Sequence, residues 1–171
     1  MVHLVLMKKV KRLFDQFKPT NYVLDLRPDK ESMTFSGTVV ISGHKTGRPS
    51  QRLTFHQKDL IISNATVVYK GKKNQETITI DRINNHSSYD EVRLHADRQL
   101  FPGDYEITLE FTGVITRAMN GMYPCDFTYK GKDKMLIATQ FESHHAREVF
   151  PCIDEPEAKS TFDLSLTTPS N

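Results

Sequence analysis

From Asn21 onward the chain alternates apolar and polar residues with period two, and no other feature restricts its fold as strongly. In the clearest run, Tyr105, Ile107, Leu109 and Phe111 interleave with Glu106, Thr108, Glu110 and Thr112. Side chains two apart leave the same face of an extended strand, so each run offers one face to a core and one to water. Met33, Phe35, Gly37, Val39 and Ile41 repeat the pattern, and Tyr22, Leu24 and Leu26 begin it. Further strands are read at 53–55, 77–83, 91–96, 127–130, 135–140 and 160–167. Segments 60–62 and 66–69 read as two strands, or as one interrupted near Asn64. Turn residues separate these runs at Arg27-Pro28-Asp29-Lys30, Phe101-Pro102-Gly103-Asp104 and Gly131-Lys132-Asp133.

Helical spacing is found at the start, where Leu6, Val10, Leu13, Phe14 and Phe17 fall on one stripe that Pro19 ends. This is read as a short helix packed on its own domain; 143–149 shows a weaker helical pattern. Many short strands with almost no helix between them predict a mainly β fold: an antiparallel β-sandwich or saddle-like folded sheet with a short N-terminal helix. Residues 1–18 form the helical segment and 19–171 a single β-domain, long enough to bury a real core.

The charge balance, 23 basic against 21 acidic residues, gives no argument for nucleic acid or for an anionic membrane as a partner. The first seven residues are apolar but precede Lys8-Lys9, the reverse of a secretory signal. Cys125 and Cys152 are too few for a disulfide framework and are read as reduced thiols of a cytoplasmic, soluble protein.

Few residues promise chemistry. None of the seven histidines sits in an H-E-x-x-H arrangement, which places two imidazoles on one helix face to share a metal. His144 and His145 are adjacent and should point apart on a helix or strand. There is no G-x-S-x-G nucleophile elbow, and Cys152 between Pro151 and Ile153 reads as a packed apolar residue. Asp154-Glu155 before Pro156 reads as a turn or helix cap. No catalytic residue and no metal ligand is assigned.

Gln140 and Glu142 stand out. Two apart at the end of a strand, they leave one face, where a carboxylate beside a carboxamide can hold an ammonium group through charge-assisted hydrogen bonds. Spacing alone supports equally a surface pair of Glu142 with Arg147.

Residues 139–162 read T-Q-F-E, then Ala146-Arg147, then Phe150-Pro151-Cys152-Ile153-Asp154-Glu155-Pro156, then Lys159 and Thr161-Phe162. The run resembles the end of the N-terminal β-domain of zinc-dependent aminopeptidases of the aminopeptidase N type. Phe17-Lys18-Pro19-Thr20-Asn21-Tyr22, Leu109-Glu110-Phe111-Thr112-Gly113 and Gly121-Met122-Tyr123 extend the resemblance over nearly the whole chain, less specifically. Pro124-Cys125 departs from the basic-Ser pair usual in that family. The resemblance implies that Glu142 binds the free α-amine of a peptide substrate and Gln140 lines the pocket for its first side chain. It implies that the Ala146 to Pro156 segment is structural and fixes the T-Q-F-E strand end. It places the zinc, its ligands and the general base in a following catalytic domain, which would be this domain's partner together with peptide substrates.

Thr167-Thr168-Pro169-Ser170-Asn171 falls where members of that family run on through further strands. The expectation is a piece of a longer protein, inactive alone, whose open sheet edge allows an edge-strand dimer. The alternative is a free-standing β-sandwich module that binds protein or carbohydrate.

Overall fold

The computed structural model describes residues 12–168, which are mostly strand. In chain order these are β1 (Phe17–Asp29), β2 (Thr34–Lys45), β3 (Ser50–His56), β4 (Ile61–Lys70), β5 (Gln75–Ile78), β6 (Ile80–His86), β7 (Glu91–Leu100), β8 (Gly103–Val114), β9 (Gly121–Tyr129), β10 (Lys132–Gln140) and β11 (Thr161–Leu166). A six-stranded sheet has the order β11-β1-β2-β8-β4-β5, a three-stranded sheet the order β3-β7-β6, and β9 and β10 form a separate hairpin.

The alternating runs bury the faces they mark. Leu24 pairs with Val39, which pairs with Leu109 and through it with Ala65; Tyr22, Ile41, Ile107 and Val67 form the next row. Val39, Ile41, Val67, Ile107 and Leu109 are wholly buried. The three-stranded sheet adds Leu53, Phe55, Val92 and Leu94 to the same cluster. The Phe17 and Phe55 rings meet edge to face at 5.4 Å, joining β1 of one sheet to β3 of the other.

Three expectations change. Residues 1–11 of the expected N-terminal helix lie outside the described residues, and among those described there is no α-helix, only two single 3₁₀ turns. Leu13 accepts from Gln16 N–H at 2.8 Å and Phe17 N–H at 3.0 Å, which closes one turn, and the chain then enters β1. Leu13 and Phe17 share a buried face because that turn delivers both to the core. Pairing with β2 from Phe17 onward, past a proline that cannot donate to a helix, outweighs the helical spacing.

Second, β11 runs parallel to β1, whereas the other neighbours are antiparallel. No hairpin links β1 to β11, so no tight turn dictates the direction of that pair. Third, the turn between β9 and β10 is Lys130-Gly131, one residue earlier than expected, with φ of 52° and 71°. Paired positive φ values match the twist of a two-residue hairpin. The open question at Asn64 resolves to one strand, β4, with a register shift between Ile62 and Asn64.

At Gly43 the backbone of β2 crosses the irregular stretch of β1 between Pro19 and Asn21. A Cβ there would lie 2.5 Å from Lys18 O and 2.6 Å from Phe17 Cε1. Gly43→Ala should therefore destabilise the fold by about 1–3 kcal/mol, read as a lower urea midpoint at unchanged m-value. An unaltered midpoint would mean that β1 shifts to make room.

Candidate functional site

Gln140 ends β10 and lies opposite Gly121 at the start of β9. Phe141 turns inward and meets the buried Phe150 ring edge to face at 6.0 Å. Its neighbours Gln140 and Glu142 are both exposed. Gln140 Oε1 accepts the Glu142 N–H at 3.1 Å, which fixes the two relative to each other and leaves the Gln140 amide nitrogen as a donor. The carboxamide is thus tied to the backbone of Glu142, and both side chains are on the surface.

Arg147 does not pair with Glu142. Its Nε donates to Asp154 Oδ2 at 2.9 Å, its backbone N–H to the same oxygen at 3.3 Å, and Nη2 to Asp154 O at 3.1 Å. The two side chains are only 12% and 11% exposed, so the ion pair is dehydrated on both sides. Removing one partner of such a pair strands the other's charge and typically costs about 3–5 kcal/mol.

The segment around this pair is stitched to the sheets. Arg147 O accepts Lys58 N–H at 2.8 Å, and His56 and Cys152 exchange two backbone hydrogen bonds of 2.8 and 3.1 Å. Ile153 N–H donates to the buried Tyr22 hydroxyl at 3.0 Å. Glu155 Oε1 accepts Leu13 N–H at 2.8 Å, and its other oxygen takes Arg12 Nε at 3.2 Å. Glu155 therefore acts as a long-range tie and Asp154 as the partner of Arg147, where the sequence suggested a cap. Sequence reasoning missed Tyr22 and His56. Their partners lie 131 and 98 residues away, and nothing in the local pattern of either marks it.

His144 and His145 do not diverge. Residues 142–145 make a turn, and the two rings stack with centroids 4.8 Å apart. His145 Nδ1 lies 3.0 Å from Glu148 Oε1, which Lys58 Nζ also reaches at 2.9 Å. Burial works against the Glu148 carboxylate, yet hydrogen bonds from His145 and Lys58 hold it below its usual range. Burial raises the Cys152 thiol well above its ordinary value, so it is no nucleophile at neutral pH; Cys125 and Cys152 are both free. Among the described residues, no group of three or more His, Cys, Asp or Glu side chains is placed to hold a metal ion, and no helix is long and apolar enough to cross a membrane.

His56 gives the clamp a pH dependence. Its Nδ1 accepts Asp154 N–H at 3.1 Å, a bond that requires an unprotonated nitrogen. Burial, then the nearby Arg147 cation, lowers the imidazole to about 4, with Asp154 opposing. The unfolded chain takes up this proton near pH 6.5 and the folded chain only near 4, so protonation favours unfolding between those values. Stability is full above about pH 6.5 and should fall by about 1–3 kcal/mol as pH drops toward 4. Urea unfolding across that window tests this, and His56→Gln should flatten the slope. An equal slope in the variant would assign the loss to other groups.

Comparison with known proteins places the chain. A family model, the Peptidase M1 N-terminal domain, matches residues 18–171. An aminopeptidase N of Lactococcus lactis subsp. lactis is 39% identical over 158 residues, which cover 92% of this chain and 17% of that protein. An aminopeptidase N of Lactobacillus delbrueckii subsp. lactis is 36% identical over 157 residues, and the glutamyl aminopeptidase of Sus scrofa 33% over 162, with the same shares covered. The chain thus spans 17% of the length of these relatives. The match over nearly the whole chain and the identity to these enzymes give one answer: the chain belongs to the peptidase M1 N-terminal domain family.

Proposed function

We propose that this chain is the non-catalytic N-terminal β-domain of a cytoplasmic zinc metallo-aminopeptidase that removes N-terminal residues from peptides. In this reading Glu142 anchors the substrate's α-amine and Gln140 forms part of the wall around its first side chain. Family membership supports the enzyme class. The observation that carries the assignment is the arrangement at the end of β10: Phe141 is turned into the protein, and Gln140 and Glu142 face solvent on either side of it.

The chemistry follows from these groups. The Gln140 carboxamide is held by the Glu142 backbone N–H, and the exposed Glu142 carboxylate beside it can accept from an ammonium. The α-ammonium is present only at a free N-terminus, so a contact placed to take it beside the first side chain favours termini and sets the register of the peptide. Arg147, Asp154 and His56 tie down the chain that follows the strand end. Since no described residues fit a zinc ion, the metal and the bond-breaking groups belong in this reading to the parent protein's catalytic domain, and no chemical step is assigned to this chain.

Glu142→Ala in the parent enzyme should lower kcat/KM on peptides with a free N-terminus by roughly 2–4 kcal/mol in transition-state free energy. Zinc content should be unchanged. Kinetics equal to those of the unsubstituted enzyme would remove Glu142 from the site.

A further inference from the structure

The sheet β3-β7-β6 buries Leu53, Phe55, Val92 and Leu94 on one face, so residues one position away lie on the other. There, Arg52 of β3 and Arg82 of β6 both stand in register with His95 of β7, one on each side. Each arginine follows a break in pairing, between Ser50 and Arg52 and between Ile80 and Arg82. Such irregularities bend a strand and re-aim the side chain that follows. Here two of them flank one histidine.

Cations gathered on one sheet face repel one another, and the usual remedy, a carboxylate, is missing. Arg12, Arg27, Arg98, Arg117 and Arg147 each hold one, whereas among the described residues Arg52 and Arg82 have none within 4.0 Å. On β7, Glu91 is engaged with Arg93 at 2.7 Å and Asp97 with Arg98 at 3.0 Å. Arg93 also lies over the Tyr89 ring at 5.8 Å. Partial burial, and then Arg82, Arg52 and Arg93, lower the affinity of His95 for a proton, as expected for an imidazole among cations.

We propose that Arg52 and Arg82 form a phosphate-binding site above His95 on the outer face of this sheet, for the phosphate group of a small anion. Neighbouring strands lie about 4.8 Å apart, so the two arginine backbones are roughly 9–10 Å apart and their long side chains can converge over the central strand. A tetrahedral phosphate offers oxygens to two guanidinium forks and to an imidazole N–H between them. A planar carboxylate is saturated by one fork. The site is independent of Gln140 and Glu142.

The test is a titration of the protein with inorganic phosphate at pH 7, following the His95 ring resonances by NMR, with sodium chloride matching the ionic strength. Saturable shifts centred on His95 are expected, and Arg52→Gln or Arg82→Gln should each weaken the apparent affinity by about tenfold. Lys72→Gln, on the loop between β4 and β5, should leave it unchanged. A response equal to that in chloride overturns the proposal, as does saturation that persists in folded Arg52→Gln and Arg82→Gln proteins. Glutarate is the comparison ligand. Saturation by glutarate but not by phosphate would make this a face for acidic peptide and would also overturn it.

Discussion

The Arg147–Asp154 pair gives a fixed shape to a stretch of chain that has almost no regular structure of its own. Between the end of β10 and the start of β11, the backbone finds its partners in Arg147, His56, Tyr22 and Glu155 in place of a continuous ladder. A guanidinium removed from water on one side and a carboxylate on the other tolerate few alternative geometries. The three donors of Arg147 reach Asp154 in one arrangement, which carries Phe150 to its place under Phe141.

The apolar surface is covered unevenly. The core between the six-stranded and three-stranded sheets is closed, with rows such as Val39 and Leu109 wholly buried. Beside the β9–β10 hairpin, by contrast, Leu24, Leu26, Met122, Ile137, Phe141 and Leu164 line an apolar cleft of about 510 Å³. Phe162, Leu164 and Leu166 on β11 remain more than half exposed, although Phe162 stacks on Tyr22 at 4.9 Å. Apolar surface is thus unevenly distributed, concentrated along β11 and the hairpin that carries the strand end.

Much of the fold could be read in advance, because period two is a property of the chain itself. Wherever Tyr105, Ile107, Leu109 and Phe111 go, they go together, and the structure needs only to bring a second such face to meet them. Within the described residues, the helical stripe shrinks to Leu13 and Phe17, four apart in a single turn, because spacing does not reveal whether a turn repeats. The separation of His144 and His145 failed similarly, since the rule that adjacent side chains diverge holds in helices and strands and lapses in turns.

The sequence alone determined the strand faces, the motif from Thr139 to Phe162 and the nearness of Gln140 to Glu142, all of them consequences of local spacing. Tertiary structure alone decided that Arg147 holds Asp154 and not Glu142, that His56 accepts from a backbone N–H 98 residues away, and that Arg52 and Arg82 flank His95 in register. The difference is one of range. Alternation and short motifs are set by bonds along the chain, whereas ion pairs and cross-strand neighbours depend on which distant segments share the space where burial is most favourable.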